Sequence, residues 1–374
     1  MNTSYLDSLV GSIPVCILCI LMLWIVIFVN RQHLFTDAKR TGTGWFVLWM
    51  VYTVYSVFYS PPSGDNYTSL ETYHAYWGGI RWEYLHYEEF HFKIMDFAPY
   101  GYLSWRFMLW GVMGATAFVL LCKKLSLDKH LATIACCTFA LPILFYYQRA
   151  AAGYSLLYLS IAFLISWREV GIVKSSIMIP LCLFAALPFH DSMVFYAVVA
   201  FLSVFLPLNK KSIILIVVGT IALKYSLLDY AAVFLEKTAE GTQETAMYYI
   251  DANKTSGTLN IGGFIMLCIS RGPFYVMLIY CLWQYITTPS KFSKYEKTFL
   301  LNTLLLIIAS TLFLSTSGAI AGKFRVASFL PWTLFIAMYY KKNRHTLACR
   351  RFVYAHLLGT IVSNGYLILR GEFL

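Results

Sequence analysis

Arg149 follows Leu144-Phe145-Tyr146-Tyr147-Gln148 at a seam between two apolar runs, with almost no polar loop to hold it in water. A second seam carries Phe189-His190-Asp191-Ser192, and a third carries Lys323-Phe324-Arg325. A guanidinium grips phosphate or carboxylate through paired hydrogen bonds and never loses its charge. A histidine titrates near neutral pH and can take a hydroxyl proton, with a carboxylate such as Asp191 to orient it. The chemistry on offer is anion binding at Arg149 and Arg325, beside a general base built from His190 and Asp191. Arg271, just before Gly272-Pro273 in another apolar run, reads either as a further anion ligand or as half of a buried ion pair. Plainer readings stand beside these. A long basic side chain at a span boundary can reach out to lipid phosphates, and His190-Asp191 also suits a polar turn.

The elements that must position these groups are membrane helices. Of the 374 residues, 59% are hydrophobic and 13% charged, too apolar for a soluble domain of this length. A helix needs about 20 apolar residues to cross a bilayer. Such runs fall near 12–29, 43–59, 99–121, 130–147, 151–166, 176–189, 193–207, 212–228, 261–285, 298–316, 325–340 and 352–369. The expected fold is all-α: one polytopic transmembrane bundle over residues 1–374 with about 12 spans, or 10 to 12 where short runs merge. Two longer outer segments, 60–98 and 229–262, are the expected substrate-binding elements. The first is rich in Tyr, Trp and His, and its periodicity suits a short helix lying on the outer leaflet.

Charge placement orients the bundle. One set of turns holds Arg31, Lys39, Arg40, Lys123, Lys124, Lys129, Arg168, Lys174, Lys210, Lys211, Lys291, Lys294, Lys297, Lys341, Lys342, Arg344, Arg350 and Arg351. That is 18 of the 29 basic residues, against Asp37, Asp128, Glu169 and Glu296. The positive-inside rule makes this the cytoplasmic side and puts both termini outside. The net charge of +11 is thus spread over short turns, which excludes a nucleic-acid surface. The nine cysteines fall in spans or on the inner side, with neither disulfide nor zinc spacing. His86-Tyr87-Glu88-Glu89-Phe90-His91 invites a metal reading, but the run suits the wet face of an interfacial helix equally well, and no metal is expected.

The order of these seams resembles the EpsG family, the Wzy-type polymerases of O-antigen and exopolysaccharide. Gly64-Asp65-Asn66-Tyr67 is similar to its Gly-x-Asp-Tyr element, and Ala98-Pro99-Tyr100-Gly101-Tyr102 to its Glu-Pro-Gly-Tyr element. Gln148-Arg149-Ala150-Ala151-Ala152, Phe189-His190-Asp191-Ser192 and the late Arg325 match in order, over about 40–340. Ala98 stands where the family has Glu, and the Gln–Arg order is inverted. The resemblance implies a multi-pass protein of the bacterial inner membrane. Its substrate would be glycan repeats on undecaprenyl pyrophosphate, its surroundings membrane lipids, and a chain-length regulator protein an allowed partner. No nucleotide or cofactor is needed. Arg149, Arg325 and Arg271 would bind the pyrophosphate, and His190 with Asp191 would take the acceptor proton. Asp65, Tyr67, Arg81, Glu88 and Glu89 would hold the glycan. Two other readings share the bundle: a flippase for lipid-linked oligosaccharides, and a lipid-phosphosugar-dependent glycosyltransferase using Glu88-Glu89.

Overall fold

An apolar run shielded from water must satisfy its backbone internally, and an α-helix does this within one segment. The computed structural model describes residues 12–34, 43–59, 65–81, 88–141, 148–190, 192–206, 261–313 and 318–370, with isolated positions at 9, 209, 211–212 and 218–219. Every regular element among them is a helix. The predicted span 212–228 and outer segment 229–262 lie almost wholly outside the described residues.

Helix α1 (Ile13–Asn30) opens with Pro14 in its first turn, where a proline's missing N–H costs nothing. Then come α2 (Thr43–Phe58), α3 (Asp65–Trp77), α4 (Glu89–Asp96) and α5 (Tyr102–Lys124). Next are α6 (Lys129–Ala135), α7 (Gln148–Ile165), α8 (Ile172–Ala186) and α9 (Met193–Phe205). The last four are α10 (Ile261–Thr287), α11 (Lys294–Phe313), α12 (Gly318–Asn343) and α13 (Leu347–Arg370). Among the described residues three stretches are long and apolar enough to cross a membrane: Ile13–Asn30, Tyr102–Lys124 and Ile172–Phe189. Gly44–Phe58, Arg149–Ile165 and Met193–Phe205 are shorter apolar helices.

The outward faces are as apolar as the inward ones. Leu18, Leu21, Ile25 and Phe28 on α1 are exposed, as are Ile177, Leu181 and Phe184 on α8 and Val194, Phe195 and Val198 on α9. Soluble monomers rarely expose continuous apolar patches above a few hundred Å². Faces of this kind suit lipid.

Helix α7 is the hub, packed against α5, α8, α9, α11 and α12. Its first turns, Ala150, Ala151, Ala152 and Gly153, carry almost no side chain, and the three alanines are buried. A Cβ on Gly153 would lie 3.0 Å from the Phe189 Cβ and 3.1 Å from the Ala186 carbonyl. The corner that ends α8 can therefore rest directly on the α7 backbone. On α5, Gly111 plays the same part: a Cβ there would come within 2.9 Å of Thr53 on α2.

The first outer segment departs from expectation. Helix α4 does not lie wet on a surface, since His91, Phe92 and Met95 are fully buried against the bundle. Trp105 Nε1 donates to the His91 carbonyl at 3.2 Å, and Phe90 stacks edge-on against Phe189 at 5.0 Å. Its aromatic residues form core, and only one side of the helix meets solvent. The Ala98–Tyr102 element is the turn into α5. Gly101, at φ +116°, supplies a conformation that side chains resist. Tyr73 locks the turn, donating to the Ala98 carbonyl at 2.9 Å and accepting from the Gly101 N–H at 3.1 Å.

Arg106, on α5, was not singled out by its sequence context, and it is completely buried. Its guanidinium donates to the carbonyls of Val57 at 2.6 Å, Ser56 at 2.7 Å and Tyr59 at 2.9 Å. Those carbonyls close α2, where the helix itself provides no donors. Removing a charged donor from buried acceptors strands them at about 1–3 kcal/mol each. Arg106→Leu is therefore expected to destabilise the protein by about 3 kcal/mol or more, read as a lower unfolding midpoint in detergent. An unchanged midpoint would refute this capping role.

Candidate functional site

Glu88 stands at the N-terminal boundary of α4, but its side chain does not cap that helix. Its carboxylate instead meets three groups from three parts of the chain. Oε2 lies 3.7 Å from Arg149 Nη1 on α7 and 3.5 Å from His91 Nε2. Oε1 lies 3.6 Å from His190 Nδ1, just past the 3₁₀ turn Leu187–Phe189 that ends α8. These are charge contacts longer than hydrogen bonds, so the cluster is assembled but not closed. Glu88, Arg149 and His190 keep 13–16% of their side-chain surface open. The site is sheltered yet reachable.

Its construction follows from the packing. Gly153 lets the Ala186–Phe189 corner settle on α7, one turn from Arg149. His91 then ties α4 to that corner through a 3.0 Å contact between Nε2 and the Phe189 carbonyl. A carbonyl only accepts, so the His91 proton is on Nε2. At His190 the logic reverses. The backbone N–H of Ser192 donates to Nδ1 at 3.1 Å, and the Ser192 hydroxyl lies 3.0 Å from the same atom. A neutral imidazole accepting at Nδ1 carries its proton on Nε2. His190 therefore presents a hydrogen-bond donor, which does not fit the general base expected of it.

Burial is the main reason that both histidines resist protonation. The His91 pKa is lowered to about 4, with the Phe189 contact opposing burial and Arg149 adding to it. That of His190 is lowered to about 3 by burial, then by Arg149, Lys323 and His91, despite the carboxylate of Glu88 nearby. At neutral pH the cluster is thus two neutral rings, one carboxylate and the cations Arg149 and Lys323, with the His91 N–H already committed to the Phe189 carbonyl. Two cations against one carboxylate leave a positive charge that suits an anion.

The other expected residues scatter. Glu89 points into solvent, 2.9 Å from Lys93, so the adjacent acids Glu88 and Glu89 do not act as a pair. Arg81 is exposed in the turn after α3. Lys323, rather than Arg325, is the α12 cation whose charge reaches His190. Two positions apart on a helix, the two side chains diverge by about 200°. Asp191, and the side chains of Asp65, Tyr67 and Arg271, lie outside the described residues. His91 joins the site without having been expected there, whereas Ser192 and Lys323 lie on the polar seams already named but carried no site role of their own. Among the described residues no group of three His, Cys, Asp or Glu converges to hold a metal.

The model of the EpsG family matches residues 101–363. The chain belongs to the EpsG family. No curated protein and no solved structure matches it. Membership of the EpsG family, with the apolar helices, makes this a membrane protein of polysaccharide-polymerase type. The matched range contains Arg149, His190 and Lys323, and begins after Glu88 and the Gly64–Tyr67 element. Glu88 therefore enters the site through its geometry and not through the family match.

The histidines also couple the site to stability. The unfolded chain protonates them near 6.5, and the folded chain only near 4 and 3. Below pH 6.5 the unfolded state binds more protons, so stability is full above 6.5 and falls as the pH drops toward 4. The detergent-solubilised protein should show a lower unfolding midpoint at pH 5 than at pH 7.5. A His91→Gln/His190→Gln variant should lose less over the same interval, and an equal loss contradicts the assignment.

Proposed function

We propose that the protein joins oligosaccharide repeats carried on undecaprenyl pyrophosphate at the outer face of the bacterial inner membrane. The observation that carries this reading is Arg149 held 3.7 Å from Glu88, beside a neutral His190, at the end of the hub helix. Family membership supplies the class of reaction, and two cations against one carboxylate suit a pyrophosphate.

The acceptor hydroxyl attacks the anomeric carbon of the growing chain. The new glycosidic C–O bond forms as the bond from that carbon to the pyrophosphate oxygen breaks. The departing electron pair stays on the pyrophosphate. Arg149 and Lys323 face that charge, and the His190 Nε2–H adds a neutral donor. The hydroxyl proton goes to Glu88. In the resting site Glu88 and Arg149 balance each other. An incoming pyrophosphate outcompetes a single carboxylate for the guanidinium, because it offers more charge and a fork-shaped set of oxygens. That exchange leaves Glu88 able to accept a proton once substrate is bound. The base is then Glu88, and His190 serves as donor.

In a strain lacking the chromosomal copy, complementation is read as the length distribution of surface polysaccharide. Arg149→Ala should leave mainly single repeats, a loss of roughly 10²–10³ in polymerisation rate for one missing charge-stabilising donor. Glu88→Gln should do the same at equal membrane abundance, and Arg149→Lys should recover part of the activity. Near-normal lengths from Arg149→Ala and Glu88→Gln would sink the assignment. Complete absence of exported repeats would point to a flippase instead.

A further inference from the structure

We infer that the far end of α7 carries a second, separate site, which binds the headgroup of an anionic phospholipid. From Arg149 to Ile165 the helix rises about 24 Å, so this site is independent of the glycan chemistry proposed above. A cavity of about 540 Å³ opens there between the C-terminal ends of α7 and α9 and the first turns of α11. Its walls include Leu164, Val204, Leu301 and Tyr285, with Lys294 and Lys297 at its edge. Lys297 Nζ sits 5.7 Å from the centre of the Tyr285 ring, an arrangement that holds the ammonium at the cavity.

Glu296, which lies between them in sequence, does not neutralise these lysines. Glu296 accepts from the Ser293 N–H at 2.7 Å and pairs with Lys342. Among the described residues, neither Lys294 nor Lys297 has a carboxylate within ion-pair distance. Next to the cavity, Phe205 and Leu206 are exposed, giving an apolar wall that continues onto the outward face of α9. Trp167, also lining the cavity, is half exposed, as befits a residue at a membrane interface. Lys124 lies over Phe163 at 4.9 Å with Lys174 and the single acid Glu169 near it, so basic residues outnumber acids around it. Paired lysines beside an apolar slot match one ligand class: a phosphodiester headgroup with acyl chains. A zwitterionic lipid has its own cation to place there, and a soluble phosphate leaves the apolar wall unused. Juxtamembrane lysines attract anionic lipid at about 1 kcal/mol each.

The test is native mass spectrometry of the full-length protein, released from detergent with added phosphatidylglycerol or phosphatidylcholine. Phosphatidylglycerol should be retained in preference. Lys294→Ala/Lys297→Ala should weaken its retention by about thirtyfold, Lys294→Arg/Lys297→Arg should preserve it, and Arg149→Ala should leave it unchanged. Equal retention of both lipids by the wild-type protein overturns the site, and that comparison decides even where the alanine variant cannot be recovered. Undiminished phosphatidylglycerol on a folded alanine variant overturns it too. So does thermal stabilisation by glycerol 3-phosphate equal to that given by the lipid.

Discussion

The 3.0 Å contact between His91 Nε2 and the Phe189 carbonyl joins positions 98 residues apart, and the polar cluster depends on it. Helix α4 has only eight residues and little helix-forming strength of its own. What holds it is tertiary: Trp105 donating to the His91 carbonyl, Phe90 on Phe189, and Phe92 beside Tyr76 at 5.2 Å. His91 is the polar member of that set and must be satisfied where it lies, because an unpaired polar group in an apolar interior is costly. It meets that demand by bonding a carbonyl at the α8 corner, just where the helix ladder runs out of donors. One turn earlier on the same segment, Glu88 is thereby fixed over Arg149.

Two sheltered arginines show how burial separates structure from function. Arg106 is wholly enclosed and its donors are taken up by the carbonyls of Ser56, Val57 and Tyr59 and by the Tyr102 hydroxyl. Nothing of it remains for a ligand. Arg149 retains 16% of its side-chain surface, and its carboxylate contact is long enough to be exchanged. Both face the same penalty for a charge inside the bundle. One is offset permanently by backbone oxygens, and the other by an acid that a stronger anion can replace.

The helices were legible because apolar run length alone carries that information, and α1, α5 and α8 lie close to where hydropathy puts them. Arg149 and His190 were legible because a polar residue at a seam between apolar runs is conspicuous. Glu88 was named for the glycan and paired with Glu89, and His91 was passed over, because both sit in a stretch dense with charge and aromatic rings. Local pattern there cannot distinguish the wet side of a helix from the buried one. The structure sorts adjacent residues oppositely, turning Glu88 inward and Glu89 toward Lys93 and solvent. Which of Lys323 and Arg325 faces the site depended on the rotation of α12, set by Phe324 packing on Tyr196 at 5.6 Å. Arg106 was hidden for another reason: its partners are carbonyls, which any sequence supplies.

His190 shows how one backbone contact can decide a role. Residue type alone makes a histidine beside an acid look like a base. Its Nδ1 is already occupied by the Ser192 N–H, and burial beside two cations keeps the ring neutral. A ring so held can offer a proton toward an anion, while its one lone pair is engaged by the Ser192 N–H. In the proposed reaction the proton-accepting role therefore falls to the remaining acceptor in the cluster, Glu88. That carboxylate is masked by Arg149 until another anion arrives. In the proposed reaction, binding the leaving group and exposing the base thus become one event, because a single guanidinium cannot serve both anions fully.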